Sequence, residues 1–310
     1  MSQAPSSPSL VKRVLGHARQ GTLLARTREH WQAYRAISRS KWWDSRRGRE
    51  GFCNHWLEPS VRLRLYFDSE LCRFIYQGDF ETNERAYLHA FLRPGDVFVD
   101  VGANIGLFTL IAARIVGESG AVHAFEPCAK TYRRLLDNVA MNKLNNVECH
   151  QAALSDIAQT LEMSISTDGM DAWNALADRP YMGQHYEKES IQACRWDDVA
   201  SERNLIGRVA LMKIDVEGWE THVLNGALKS LSHDDAPVLQ VEFTDSAARA
   251  AGDSCQNLYR TLESLGYRMY QYDAGSRVLH PDPMRQEYGY LNLFAVKDLA
   301  AAKARLEARD

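Results

Sequence analysis

Seven consecutive residues, Asp100-Val101-Gly102-Ala103-Asn104-Ile105-Gly106, carry the strongest chemical signal in the chain. An apolar run, VFV (97–99), precedes them, so the pattern reads as a buried strand ending in an acid, a glycine turn and the start of a helix. Open α/β sheets bind ligands there, outside the carboxyl ends of the strands. Gly102 omits the Cβ that would hold a ligand off the backbone, and Gly106 lets the helix approach the strand. A dinucleotide would ask for Gly-x-Gly-x-x-Gly with its pyrophosphate on the helix N-terminus. The spacing here is Gly-x-x-x-Gly with an acid two residues ahead. An anionic Asp100 suits a ligand with an ammonium group and no phosphate. S-adenosylmethionine (AdoMet) fits that description far better than NAD, with Asp100, Gly102, Asn104 and Gly106 as its binding loop.

Glu126, at the end of the next apolar run (AVHAFEP, 121–127), suits both hydroxyls of a nucleoside ribose. Asp156, in ALSD, is placed to accept from an adenine amino group. A helix cap is the plainer role for Asp156, and a solvated charge for Glu126. Methyl transfer from a sulfonium to a hydroxyl needs in-line approach and a group that takes the proton. Asp215 and Glu217, in KIDVEGWE (213–220), share one side if their strand continues that far. Asp215 then joins the cofactor set, and both are candidate catalytic acids. Glu242, closing VLQVEF (238–243), is a third. Together these acids offer hard oxygen ligands suited to Mg²⁺, although the reading requires no metal. Glu220 reads as a helix surface charge, and Lys213 as a buried cation in need of a carboxylate partner. Between Leu161 and Gln192 lies a long irregular insertion, in which Trp173 and Asn174 are candidate acceptor contacts or loop anchors.

The elements that must position these residues alternate. Strands are expected at 97–102, 121–127, 146–154, 209–218, 237–243, 267–273 and 290–297. Helices are expected at 105–116, 129–142, 219–231 and 255–265. Strands and helices in this order imply a Rossmann-like α/β fold, a seven-stranded mostly parallel sheet covered on both faces. The last two strands have no helical pattern between them, which makes one strand antiparallel. Ahead of this domain (94–300), residues 61–66 and 71–76 read as a β-hairpin around FDSE, and 81–92 as a lead-in helix. Residues 1–60 form a helical extension and 301–310 a tail.

Over residues 78–297 the chain resembles the FkbM family of AdoMet-dependent methyltransferases. The matching stretches are PGDVFVDVGANIG (94–106), VHAFEP (122–127), NV followed by N (138–142), ALSD (153–156), MKIDVEGWE (212–220) and VLQVEF (238–243). Their order and spacing match throughout. The resemblance implies a class I methyltransferase that O-methylates a hydroxyl on a sugar or secondary metabolite. N-methylation of a small molecule, a catalytically silent AdoMet-binding protein and an NAD-dependent oxidoreductase are the competing readings. The last is disfavoured by the glycine spacing.

Composition narrows the partners. The formal net charge is -3, which gives no case for nucleic acid. Residues 1–50 nevertheless hold 11 Lys/Arg against three Asp/Glu, a basic arm on an acidic body. Arg and Trp interleave in that arm (Trp31, Arg35, Arg39, Lys41, Trp42, Trp43, Arg46, Arg47), so peripheral membrane contact competes with docking on the catalytic domain. Six scattered cysteines without a Cys-x-x-Cys pair argue against a zinc site and a disulfide framework. No secretory signal and no transmembrane stretch is legible, so the expected location is cytoplasmic.

Overall fold

The computed structural model describes residues 37–78, 80–176 and 185–308. Most of the basic arm, including Trp31 and Arg35, lies outside them. A helical segment over 37–44 leads into the fold. Its Trp43 is fully buried, with its ring 5.3 Å from those of Phe67 and Tyr76. The described end of the arm therefore packs on the body.

The hairpin lies one element earlier than the sequence suggested. β1 (Phe52–Glu58) pairs antiparallel with β2 (Val61–Tyr66). Residues expected as its second strand form helix α1 (Glu70–Gln77) instead. The apolar run LCRFIY suits either period, and its ends decide. Ser69 Oγ accepts from the Cys72 backbone N–H, Glu70 sits in the first turn, and Gly78 closes the helix in the left-handed region. Helix α2 (Thr82–Phe91) follows, close to its expected place.

The chain then winds through β3 (Val97–Val101), α3 (Leu107–Val116), β4 (Ala121–Phe125), α4 (Ala129–Met141) and β5 (Val147–His150). β6 (Ala153–Leu154), β7 (Gln159–Ser166) and β8 (Tyr186–Cys194) form a small separate sheet, so the expected strand 146–154 is two strands in two sheets. α5 (Trp196–Glu202), β9 (Val209–Ile214), α6 (Glu220–Asn225), α7 (Leu228–Leu231) and β10 (Val238–Phe243) complete the parallel part. The helix expected over 219–231 is thus broken at Gly226 and Ala227. α8 (Asp245–Ala250), α9 (Cys255–Ser264), β11 (Arg268–Asp273), β12 (Val278–Pro281), β13 (Leu291–Val296) and α10 (Leu299–Glu307) close the chain.

Among the described residues the main sheet has eight strands, in the order β12-β11-β13-β10-β9-β3-β4-β5. β3, β4, β5, β9 and β10 run parallel, while β13 pairs antiparallel with both β10 and β11. The seventh expected strand is there, but the short β12 adds an eighth and a second reversed direction. Alternate residues of β3 enter two cores. Phe98 faces one with the hairpin, α1, α2 and α3, and Val97, Val99 and Val101 face the other with α6, α7 and α9.

Two asparagines of the NV…N stretch dock the hairpin. Asn138 Oδ1 accepts from the Arg64 N–H at 2.7 Å, and Asn142 bonds both the N–H and the carbonyl of Arg62. They complete the outer edge of β2, which would otherwise present unpaired backbone groups. The residues taken for a tail form α10, held by Arg305 on Asp96 at 2.6 Å. No helix among the described residues is long and apolar enough to cross a membrane.

Ser69 does two jobs, since its hydroxyl also donates to Asp171 Oδ1 at 2.8 Å. Ser69→Ala should lower the unfolding free energy by about 1–2 kcal/mol, the cost of a lost cap plus a buried acceptor left unpaired. Urea unfolding checks this; an unchanged midpoint would contradict it.

Candidate active site

A cavity of about 300 Å³ opens at the carboxyl ends of β3, β4 and β9. Gly102, Asn104, Glu126, Asp215, Glu217 and Trp173 are among its lining residues. The loop after β3 forms its floor. Gly102 has φ +79, and a Cβ there would fall 1.9 Å from the Asp215 carbonyl oxygen. The glycine is needed because the loops after β3 and β9 touch backbone to backbone, a closer reason than the ligand approach inferred from sequence. Gly106, at φ +93, opens α3 against Leu135 of α4, whose Cδ1 would lie 2.7 Å from an added Cβ.

Glu126 is buried at the end of β4. It accepts from Asn104 N–H (2.9 Å) on Oε2, and from Cys128 N–H (3.0 Å) and Thr131 Oγ1 (2.6 Å) on Oε1. Burial pushes its carboxyl up to about 7 against these bonds. A carboxylate has about four lone-pair sites, so acceptor capacity is left on Oε2. Asn104, held at φ +47, donates from Nδ2 to the Asp171 carbonyl, while its buried Oδ1 has no partner among the described residues.

Asp100 is not a lining residue. Its side chain is buried behind the loop, where it accepts from Thr109 Oγ1 at 2.5 Å. Lys213 lies buried between two acids, 3.0 Å from Asp215 Oδ2 and 3.9 Å from Asp100 Oδ1, with its Nζ 5.2 Å from the Phe108 ring centre. Burial lowers the proton affinity of Lys213, but Asp215, Asp100 and Glu81 outweigh it and hold the ammonium above its ordinary range. The partner foreseen for this lysine is therefore a pair of carboxylates.

β9 stops at Ile214, so Asp215 and Glu217 do not alternate along a strand. They converge through a turn in which Glu217 takes φ +54, a conformation that costs a non-glycine residue about 1 kcal/mol or more. Glu220, expected on the surface, is buried and clamps this turn by accepting from Val216 and Gly218 N–H. Oxygen atoms of Asp215, Glu217 and Glu242 lie within 4.8 Å of one another. Glu242 is buried behind the cavity, with Thr244 Oγ1 on one oxygen and no partner on Oε2 among the described residues. Burial, followed by the charges of their acidic neighbours, raises both Glu217 and Glu242 well above the carboxylate range.

Asp156 stays outside the lining, where it accepts from Ser155 Oγ and lies 3.3 Å from His222 Nδ1. His222 stacks on Trp219, which itself lines the cavity. Trp173 and Asn174 both line it, but Asn174 also anchors its loop by accepting from Ser166 N–H. Residues 177–184 of the insertion lie outside the described residues. Glu81 and Tyr290 are among the lining residues that sequence reasoning missed. Glu81 has φ +46 and accepts from Tyr290 Oη at 2.7 Å. Burial and the charge of Asp215 push it up to about 8. Its place one residue before α2 gave no cue.

A mostly parallel sheet with an acid-lined cavity at its carboxyl ends defines the class, a methyltransferase of the Rossmann-like type. Residues 100–269, more than half of the chain, match the methyltransferase FkbM domain. The chain thus belongs to the FkbM family of AdoMet-dependent methyltransferases. It is similar to 31-O-demethyl-FK506 methyltransferase FkbM of Streptomyces tacrolimicus, 32% identical over 198 residues that cover 54% of this chain and 73% of the relative. Methyltransferase sdnD of Sordaria araneosa is 32% identical over 191 residues, 53% of this chain and 73% of the relative. A crystal structure of a SAM-dependent methyltransferase from Aquifex aeolicus aligns over 69% of this chain and 88% of its own, with 14% identity and a TM-score of 0.37.

The raised acids fix a pH dependence. Glu81 (about 8), Glu126 (about 7) and Glu220 (about 7) hold protons in the folded state that unfolded glutamates, near 4.5, have released. The folded state binds more protons, so stability should fall as pH rises from about 6.5 to about 8. The lowered histidines (His55, His123, His150) are neutral in the folded state across this window, and their unfolded forms, near 6.5, oppose the fall only at its lower end. Urea midpoints should drop across it, and Glu81→Gln should flatten the slope. A rising midpoint would contradict the site's electrostatics.

Proposed function

We propose that the protein moves a methyl group from AdoMet to a hydroxyl oxygen of a glycan or secondary metabolite. Bound AdoMet supplies a methyl already activated on a sulfonium, so the protein's part is binding, orientation and proton handling. Two acceptors, one partly used and one without a partner among the described residues, support the fit to this cofactor. Glu126 has spare capacity on Oε2 for a ribose hydroxyl, and the buried Asn104 Oδ1 awaits a donor. Asp215, held 3.0 Å from Lys213 Nζ, lines the cavity as a candidate partner for an ammonium group.

The observation that carries the oxygen acceptor is the convergence of Asp215, Glu217 and Glu242. Three carboxylates this close cannot all ionise without a proton or cation among them, and here burial and acidic neighbours raise the proton affinity of Glu217 and Glu242. Glu217 is the lining member without Lys213 on it, and it takes the proton of the acceptor hydroxyl. Glu242, behind it, keeps that proton affinity high. An amine acceptor would ask for orientation alone, so an assembled base favours oxygen. The name of the Streptomyces relative, a 31-O-demethyl-FK506 methyltransferase, agrees with oxygen as the acceptor.

Transfer of labelled methyl from AdoMet to a panel of hydroxylated glycans and natural products tests the proposal. Glu217→Gln should lower kcat by about 10²–10⁴, the usual worth of a positioned base, and leave S-adenosylhomocysteine binding intact. Unchanged kcat in that variant, or methylation confined to amines, would overturn the oxygen reading. Trp173→Ala should raise the KM for acceptor without weakening cofactor binding. Equal loss of both would make Trp173 a loop anchor.

A further inference from the structure

A second group of chemistry-bearing side chains sits on the outer parallel strands, apart from the cavity. β4 and β5 pair with His123 opposite Glu148 and Phe125 opposite His150. Strand side chains alternate, so all four share one face. His123 Nδ1 lies 3.4 Å from His150 Nε2 and 3.4 Å from Glu148 Oε2, and His150 Nε2 lies 3.7 Å from Glu148 Oε1. We propose that His123, Glu148 and His150 bind a divalent transition-metal ion, with Zn²⁺ the best match.

The spacing carries the proposal. Tetrahedral Zn²⁺ with bonds of about 2.0–2.1 Å to imidazole and carboxylate sets its donor atoms about 3.3–3.4 Å apart. His123 Nδ1 already stands at that spacing from His150 Nε2 and from Glu148 Oε2, while His150 meets the other Glu148 oxygen at 3.7 Å, so a small turn of the carboxylate completes one face of such a tetrahedron. The rings are held for it, since His150 stacks on Phe125 at 4.3 Å and 9°. Two imidazoles and a carboxylate are the mixed set that Zn²⁺ and its neighbours take from proteins. The fourth position faces solvent on the side of Glu148, whose side chain is 45% exposed against 7% for His123 and 15% for His150.

A plain hydrogen bond between the two rings accounts for the nitrogen contact but not for the approach of Glu148 to both. Arg203 also holds Glu148, with Nε at 3.0 and 3.1 Å from its oxygens and Nη2 on Oε1. That pairing orients the carboxylate and leaves lone pairs for an ion. Burial first, and Arg203 among other charges, holds both histidines below the usual imidazole range, so the rings are neutral near pH 7. None of the three lines the cavity. His123 lies three residues before Glu126, about 10 Å along the strand, so the ion would brace the sheet edge rather than take part in methyl transfer.

Zn²⁺ titrated into the metal-stripped full-length protein, in competition with a chromogenic chelator, tests the site. One equivalent should bind per chain. His150→Gln and Glu148→Gln should each weaken uptake at least tenfold, with S-adenosylhomocysteine binding serving as the check on folding. The exposed Glu148 variant keeps the test available if His150→Gln does not fold. No stoichiometric uptake, or uptake that a folded variant retains unchanged, overturns the proposal. The second outcome would place the ion elsewhere, on the six free cysteines for instance.

Discussion

Lys213 is a buried cation that holds two acids at the carboxyl ends of the central strands. Removing one charge from such a group costs about 3–5 kcal/mol, because it strands the others without water. That penalty ties the geometry of three loops together. Asp100 is fixed behind the first loop, Asp215 is turned into the cavity, and Glu81 is drawn toward the same charge from the start of α2. One ammonium does not neutralise Asp100, Asp215, Glu217 and Glu242 at once. The excess raises the proton affinity of Glu217 and Glu242, so that with one proton held between them the other carboxylate is a strong base where a hydroxyl arrives.

Close packing of backbones then sets the shape. The Asp215 carbonyl fits against Gly102 so tightly that no side chain can stand there. The next turn puts Glu217 in the left-handed region and is clamped by Glu220 through two backbone N–H groups. A nucleoside-sized cavity with one wall of acids is what these contacts leave. Elements before the catalytic sheet support it. Asn138 and Asn142 bind the hairpin, and Ser69 ties α1 to the Asp171 turn, whose carbonyl in turn receives Asn104.

Much of this was legible in the sequence. Buried parallel strands are short apolar runs, and VFVDV, AVHAF, VALMKI and VLQVEF were found within a few residues of their ends. A shared side for Asp215 and Glu217 was inferred from strand periodicity, but they meet through a turn that periodicity cannot describe, and the approach of Glu242 to both was not legible. Asp100 and Asp156 were read as ligand contacts from their place at strand ends, but type and place do not say which way a carboxylate points. LCRFIY was misread as a strand because its caps, Ser69 and Gly78, were given less weight than its apolar run. Glu81 lies far from the motifs in sequence and meets them only through the third dimension.

The claim on which the rest stands is that the cavity beside Glu126 is a nucleoside site. Calorimetric titration with S-adenosylhomocysteine, with NAD as the control, measures it most directly. The account predicts micromolar binding of S-adenosylhomocysteine, none of NAD, and at least tenfold weaker binding by Glu126→Gln, about 1.4 kcal/mol or more. Equal affinity in Glu126→Gln, or no binding even with hydroxylated acceptors present, would contradict it.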